Sequence, residues 1–161
     1  MHQSRKDSLG LHLFNRESGL NILVDEIAYH PDQWSVAPRH ISMALTNECN
    51  LACAHCYAPK GAANLTAGEV LAWAGELSDQ GCLGIGLGGG EPTLHPDLGA
   101  ICASVMRHTR LAITITTNAL LFDSHLSHNL AGNVNFIRVS MGGVDNTYEQ
   151  LHGKSDLPPE N

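Results

Sequence analysis

Four strand-like segments alternate with helix-like segments along this chain, and that alternation limits the fold more than any other feature. The strand-like runs are ISMALT at 41–46, CLGIGL at 82–87, LAITITTN at 111–118 and VNFIRVSM at 134–141. Strands separated by helices in this way pair in parallel through right-handed crossovers. The sequence therefore predicts an α/β fold in which the carboxyl ends of the strands share one edge of a sheet.

Local signals locate the helices between these strands. Thr66 followed by Glu69 forms a capping box, and Gly81 is suited to end the first helix. We predict the second helix from Pro96 to His108, since proline suits the first helical position, and a short third helix within 121–133.

The residues before the first of these strands form a small separate unit. The run at 11–26 has two apolar stretches around a polar turn at which Gly19 relaxes the chain. We predict a β-hairpin over Leu11–Glu26, and we assign 1–38 to the hairpin and its linker and 39–161 to the α/β unit. The hairpin is either a cover for the sheet, which is the favoured interpretation, or a lid or docking edge.

Three cysteines, Cys49, Cys53 and Cys56, follow the first of the four strands at C-x3-C-x2-C spacing. Thiolates at this spacing reach one inorganic centre from a single loop, and three ligands on a four-iron cluster leave one iron open. The cysteines alone also allow zinc, a disulfide with a spare thiol, or packed thiols. Cys82 and Cys102 fall in a strand and a helix, and we predict that both are core thiols.

A glycine run follows the second strand, in the segment LGGGEPTLHPDL at 87–98. Gly88–Gly90 lie at the carboxyl end of the strand, where the missing Cβ atoms let a ligand approach the backbone, and Glu91 adds a carboxylate. Alone this is weak evidence, because glycine is also the default residue of a tight strand-to-helix loop. His95 either faces a ligand or caps the next helix, and the cap is the favoured interpretation.

Together these segments resemble the radical S-adenosylmethionine enzymes. That family has a cluster motif C-x3-C-x-Φ-C, matched by Cys49, Cys53, Cys56 and His55 in the aromatic position, and a strand ending in GGE-P, matched at 89–92. ITITTNA resembles the family's third strand with its TTNG ending. FIRVSMGGVDNTYEQLHG resembles its fourth strand and the helix that follows, so the resemblance runs from about residue 41 to 154.

The resemblance also has departures. Ala119 replaces the usual Gly after Asn118, and Gly142 stands where many relatives carry Asp. The family's barrel has six strand-helix units, whereas this chain shows about four, without the fifth strand that helps hold the adenine. The resemblance therefore implies an α/β fold, namely a partial (β/α) barrel of the radical SAM type preceded by a small β-hairpin.

The resemblance implies a radical SAM enzyme with two cofactors. The three thiolates would hold a [4Fe-4S] cluster whose fourth iron binds S-adenosylmethionine (SAM). Reductive cleavage of SAM would give a 5'-deoxyadenosyl radical that takes a hydrogen atom from a peptide or small-metabolite substrate. The implied cofactor contacts are Gly89, Gly90 and Glu91 with the methionyl amine, Asn118 and Ser140 with the ribose and carboxylate, and the His55 backbone with the adenine.

Partners follow from the same resemblance. A flavodoxin or ferredoxin is the implied reductant. The alternative is a truncated, noncatalytic iron-sulfur binding protein or partner subunit. In either case an open sheet edge is expected to self-associate or to pair with another chain.

Composition restricts the setting of the protein. A net charge of -7 argues against nucleic-acid phosphates, which need a basic footprint. No apolar run approaches the roughly 18 residues of a membrane span, and the polar start MHQSRKDSLG lacks the apolar core of a signal peptide. Five cysteines, three of them clustered, suit a reducing compartment. We therefore expect a cytoplasmic protein without membrane or nucleic-acid partners.

Overall fold

The computed structural model describes residues 2–141, which form two sheets and three α-helices. The first sheet is antiparallel, with strands β1 (His2–Asp7), β2 (Gly10–Asn15) and β3 (Asn21–Val24) in that order. Strands β2 and β3 confirm the predicted hairpin, in which Leu13 pairs with Ile22. Strand β1 was not predicted.

Strand β1 lacks the apolar alternation of an ordinary half-buried strand because its inward side chains bind backbone carbonyl groups. Gln3, Arg5 and Asp7 are buried. Arg5 donates to the carbonyls of Ala37 and Gly81, and Gln3 donates to that of Arg110. Hydrogen bonds of this kind satisfy polar groups that would otherwise be costly to bury. They attach the antiparallel sheet to the edge at which the parallel strands begin.

The second sheet is parallel, and its strands follow the order of the chain. It confirms the predicted α/β fold. The predicted helix after the fourth parallel strand, over 143–154, lies outside the described residues. The elements are β4 (His40–Thr46), α1 (Ala67–Asp79), β5 (Gly84–Gly89), α2 (Leu98–His108), β6 (Ala112–Thr117), α3 (Ser124–Leu130) and β7 (Phe136–Val139).

One face of the parallel sheet packs against the helices and forms the core. Every second strand residue points to it, and burial of each such side chain stabilises the fold by about 1.5–3 kcal/mol. Cys82 and Cys102 are 0% exposed in this core, which confirms their prediction as core thiols. The buried strand side chains include Leu45, Ile85, Leu87, Ile113 and Ile115.

The opposite face carries no helix within residues 2–141, and we call it the helix-free face. The residues that alternate with the core positions point to it, and most of them are small or polar. They include His40, Ser42, Gly84, Gly86, Ala112 and Thr114. Within the same part of the chain, no helix combines the length and apolar character needed to cross a bilayer.

The helix ends agree with the sequence signals, with one exception. Thr66 and Glu69 form the capping box of α1, and Gly81 follows its end at a φ of 88°. Helix α2 begins at Leu98, later than predicted, after a separate 3-10 turn over Pro92–Leu94. Pro96 therefore lies between the 3-10 turn and α2, one residue before the N-cap Asp97, and does not occupy the predicted first helical position.

His95 joins the 3-10 turn to α2. Its Nδ1 accepts a hydrogen bond from the Asp97 amide at 3.1 Å, and its Nε2 lies 2.8 Å from the Leu65 carbonyl oxygen. At 5% exposure, His95 bonds only to groups of the described chain, but it caps the end of the 3-10 turn and not the start of α2, whose N-cap is Asp97.

Acid should weaken the attachment of the antiparallel sheet through Asp7. Burial alone would raise the pKa of Asp7, but hydrogen bonds from the Leu9 amide, Arg39 and Arg5 outweigh it and hold the pKa well below its usual range. A carboxyl group whose pKa is lowered by folding contributes stability above its unfolded pKa of about 3.9, and that stability is lost as the pH falls further. We expect urea midpoints to decline below about pH 4, and Asp7→Asn to reduce this decline.

The matched control is Asp32→Asn, because the Asp32 side chain is 88% exposed. It should leave the acid dependence of the urea midpoint unchanged. Equal pH profiles for Asp7→Asn and the unmodified chain would contradict this role of Asp7.

Candidate functional site

The predicted site residues follow the carboxyl ends of the four parallel strands. Cys49, Cys53, His55 and Cys56 lie after β4 in the loop 47–66, which we call the thiol loop. The glycine turn, residues 88–91, ends β5. Asn118 follows β6 and Ser140 follows β7. The parallel topology therefore brings all of the predicted segments to one edge, although they lie far apart in the sequence.

The thiol loop is tied to its own strand at both ends. The Asn47 amide donates to the Ala63 carbonyl at 2.9 Å, and the Leu65 amide donates to that of Leu45 at 2.9 Å. Leu51, only 6% exposed, anchors the middle of the loop. A cavity of about 470 Å³ adjoins this segment and is lined by Cys49 and Leu51 among others.

The three cysteines of the loop are thiols that influence one another. Cys49 and Cys53 are partly buried, and Cys56 is exposed. Burial raises the pKa of Cys53 above its usual value, and the neighbouring Cys49 and Cys56 raise it further. All three thiols belong to one eight-residue segment of the thiol loop, 49–56. A bound metal would reverse the rise in pKa, since coordination deprotonates a thiol.

Lys60 supplies the positive charge of the loop and was not identified from the sequence. Its Nζ lies 3.8 Å from the Cys56 Sγ and 3.4 Å from the Leu51 carbonyl oxygen. This charge opposes the rise in the pKa of Cys53. A cation beside thiols favours the thiolate form that binds metals. The only signal for Lys60 in the sequence is its position four residues after the last cysteine of the motif.

The donor set of the loop fits a [4Fe-4S] cluster. Iron-sulfur clusters bind cysteine thiolates, and each ligand binds a different iron atom, so the thiolates need not meet at one point. Within residues 2–141, no three His, Cys, Asp or Glu side chains lie closely enough together to hold a single metal ion.

The glycine turn lies directly against the start of the thiol loop. A Cβ atom added at Gly90 would lie 2.0 Å from the Glu48 carbonyl oxygen, so only glycine allows this approach. The amides of Gly90 and Glu91 donate to the carbonyls of Thr46 and Glu48, both at 2.7 Å. Beside them, no heavy atom of residues 2–141 beyond its chain neighbours lies within 4 Å of a Cβ atom built at Gly88. The backbone at Gly88 is therefore accessible to a ligand.

Glu91 occupies a different position from the one expected at the sequence level. Its side chain is 1% exposed and all of its hydrogen bonds are to protein groups. One carboxylate oxygen accepts from the Thr93 amide and hydroxyl and from the Thr117 hydroxyl, at 3.1, 2.6 and 2.6 Å. The other accepts from the Asn118 amide at 2.8 Å. Glu91 thus joins the end of β5 to the end of β6.

Asn118 continues this connection to the thiol loop. Its Nδ2 donates to the Asn50 Oδ1 at 2.8 Å, and its Oδ1 accepts from the Leu120 amide at 3.0 Å. Asn50 directly follows Cys49 and was not singled out in the sequence. The Ser140 amide donates to the Thr117 carbonyl at 2.8 Å, which places Ser140 at the same edge. Glu91, Asn118 and Asn50 therefore form one network of hydrogen bonds across three strand ends.

Comparison with known proteins bears on this arrangement. The family model described as the Radical SAM superfamily matches residues 43–158. The chain is 28% identical over 159 residues to the sporulation killing factor maturation protein SkfB of Bacillus subtilis, covering 92% of this chain and 37% of SkfB. It is 31% identical over 114 residues to the Fe-coproporphyrin III synthase of Methanosarcina barkeri, covering 68% of this chain and 28% of that protein.

Solved structures show the same fold. SuiB of Streptococcus suis bound to S-adenosylmethionine superposes with a TM-score of 0.73 at 18% identity, covering 94% of this chain and 49% of SuiB. SuiB bound to its precursor peptide SuiA gives a TM-score of 0.72 at the same identity, covering 95% and 51%. The chain thus spans about half the length of SuiB. It spans 37% of SkfB and 28% of the Fe-coproporphyrin III synthase.

Proposed function

Since the chain belongs to the radical SAM superfamily, we propose that it is a radical SAM enzyme, or the amino-terminal portion of one, that uses a [4Fe-4S] cluster and SAM. One observation carries the proposal. The three thiols of one loop follow the same sheet edge as the glycine turn, and a hydrogen-bond network joins the loop to the turn. In this view the four parallel strands form part of a (β/α) barrel.

We assign the cluster to Cys49, Cys53 and Cys56, which would leave one iron for SAM. Lys60 would favour the thiolate state of the loop. When bound, the reduced cluster and SAM supply the radical chemistry of the family, in which the sulfonium carbon-sulfur bond is broken and a hydrogen atom is taken from the substrate. The protein orients these groups and excludes water.

The contacts of SAM follow from the groups that remain available at the sheet edge. The Gly90 and Glu91 amides are occupied, so the methionyl amine, which is a donor, would use backbone carbonyl groups of Gly89 and Gly90. The Glu91 carboxylate would favour the positive amine from within the fold while it holds the turn in place. The Ser140 hydroxyl would face the ribose and carboxylate together with Asn118, whose side chain would exchange its hydrogen bond to the exposed Asn50 for one to SAM. The His55 backbone would face the adenine.

We propose a peptide as the substrate. SuiB binds a precursor peptide, and SkfB is named for the maturation of a killing factor. A small metabolite is the second candidate, because the Fe-coproporphyrin III synthase is also a relative. A flavodoxin or ferredoxin in a reducing compartment such as the cytoplasm would supply electrons.

The edge of β7 is the proposed place for further strands, from a longer chain, a partner or a second copy. Ile137 and Val139 are 45% and 47% exposed on this strand. An exposed apolar strand with unpaired backbone groups is a template for pairing.

The direct test is anaerobic reconstitution followed by electron paramagnetic resonance (EPR) with and without SAM. We expect SAM to change the spectrum of the reduced cluster, because it binds the iron that has no cysteine ligand. Dithionite should then yield 5'-deoxyadenosine, detected by chromatography.

S-adenosylhomocysteine is the matched control, because it lacks the sulfonium centre and gives no 5'-deoxyadenosine by reductive cleavage. A cluster whose spectrum is unchanged by SAM would contradict the proposal and support the noncatalytic iron-sulfur protein instead.

A further inference from the structure

A cavity of about 620 Å³ lies on the helix-free face, away from the thiol loop. Four parallel strands contribute residues from their amino-terminal halves, and Phe14 and Asn21 of the antiparallel sheet complete the lining. Its volume falls within the roughly 300–1,000 Å³ of small-molecule sites. The cavity is therefore large enough for a ligand and is separate from the proposed cofactor site.

The placement of His40 in this cavity depends on two glycines. A Cβ atom added at Gly84 would lie 3.3 Å from the His40 Cδ2, and one at Gly86 would lie 3.1 Å from its Cε1. Neither glycine has the positive φ that would require glycine for its backbone conformation. Strand β5 carries no side chain at these two positions, and the imidazole ring of His40 on the neighbouring strand lies in the space that side chains would fill.

Arg138 of β7 lines the same cavity. No carboxylate of residues 2–141 lies within ion-pair distance of it, whereas the adjacent Arg39 is held by Asp7 at 2.8 Å. His40 keeps contact with solvent through the cavity mouth, yet partial burial lowers its pKa, and the Arg138 charge lowers it further. Among the described residues, Arg39, His40 and Arg138 are the titratable groups of the cavity lining.

The remaining lining is mostly apolar, and its polar members are Asn21 and Thr114. The rings of Phe14 and Phe136 stand on opposite elements of the lining, and Leu83 and Ala112 line it between them. A site that combines a guanidinium with mostly apolar walls suits a ligand with one negative end and an apolar body.

We propose that this cavity is a binding site for an organic carboxylate, whose anionic end lies between Arg138 and His40 and whose apolar body lies against Phe14 and Phe136. The proposal rests only on the residues of this cavity and stands whether or not the chain cleaves SAM. A bound carboxylate would neutralise Arg138 and favour the protonated form of His40.

Nuclear magnetic resonance of the full chain without cluster tests this proposal. The imidazole signals are followed against pH, and His40 is assigned with a His40→Gln variant. In the free protein we expect His40 to titrate below the ordinary histidine value of about 6.5. Benzoate should raise the pKa of His40 by about 1, because it places an opposite charge beside the ring. Benzamide, which is neutral and of the same shape, should leave it unchanged.

Variants of the chain test whether the benzoate response depends on Arg138, as it should if the cavity is a specific binding site. Arg138→Gln should raise the pKa of His40 in the free protein, because it removes a positive neighbour, and should also remove the response to benzoate. Arg107→Gln, an exposed arginine on α2, should change neither result. Inorganic phosphate should act more weakly than benzoate, since it gains nothing from the phenylalanine rings.

Equal responses to benzoate and benzamide, or a full benzoate response in Arg138→Gln, would overturn the proposal. If Arg138→Gln is poorly folded by circular dichroism, Gly86→Ala provides the second test. Its Cβ would lie 3.1 Å from the His40 Cε1 and would push the ring aside slightly, so the benzoate effect should become smaller without any change in charge. A full effect in that variant would also overturn the proposal.

Discussion

Cys53→Ala is expected to reduce the iron and sulfide bound after anaerobic reconstitution to background, whereas Cys82→Ala should bind as much as the unmodified chain. Cys53 is the central thiol of the loop and interacts with both neighbouring thiols. Two thiolates and Lys60 cannot replace a third ligand, since a cluster of this type needs thiolate at each protein-bound iron. Iron and sulfide assays and the EPR spectrum of the reduced protein measure the difference.

Cys82→Ala is a suitable control because it also replaces a cysteine by alanine, but at a buried position outside the thiol loop. It is 0% exposed, burial raises the pKa of its thiol, and its Sγ donates to the Gly84 carbonyl at 3.3 Å. A thiol of this kind packs as a small apolar group and is not a ligand. Loss of iron in Cys82→Ala, with circular dichroism showing an intact fold, would overturn the assignment of the cluster to the loop.

The parallel sheet could be predicted because its signals are local. Apolar runs rich in β-branched residues, the Thr66 capping box and Gly81 each act within a few residues, and parallel pairing follows from their alternation. The position of the thiol loop and the glycine turn at one edge follows from the same topology. This shared position could be predicted without knowing the contacts between the loop and the turn.

Strand β1 could not be predicted because its inward residues are polar. Gln3 and Arg5 are buried by hydrogen bonds to carbonyls about 30 to 107 residues away, and these partners exist only in the folded chain. An amphipathic pattern depends on apolar burial, so a strand held in this way has none.

The network at the site was hidden for a similar reason. Asn50 and Asn118 are 68 residues apart, and their hydrogen bond exists only because β4 and β6 end at the same level of the sheet. The position of Glu91 in the glycine turn likewise does not reveal the direction in which its side chain points. The sequence locates a carboxylate beside a ligand-binding backbone, whereas the fold turns that carboxylate towards Thr93, Thr117 and Asn118.

This orientation predicts that Glu91→Ala destabilises the chain strongly even without any cofactor. The substitution leaves donors from three residues without an acceptor in a buried position, and each unsatisfied buried group costs about 1–3 kcal/mol. Allowing for partial relaxation, we expect a loss of about 3 kcal/mol in the free energy of unfolding, or about 6–12 °C in Tm for a domain of this size. Thermal and urea unfolding of the cluster-free protein measure it.

Two further variants make the test specific for the buried carboxylate. Glu91→Gln keeps the shape and one acceptor oxygen, so it should cost less, about 1–2 kcal/mol. Glu76→Ala removes an exposed carboxylate on α1 that accepts only from Gln80, and it should cost less than about 0.5 kcal/mol. Equal stabilities for Glu91→Ala and Glu76→Ala would show that Glu91 does not hold the strand ends together. A graded loss across the three variants would instead mean that the carboxylate beside the glycine turn stabilises the site before any cofactor binds.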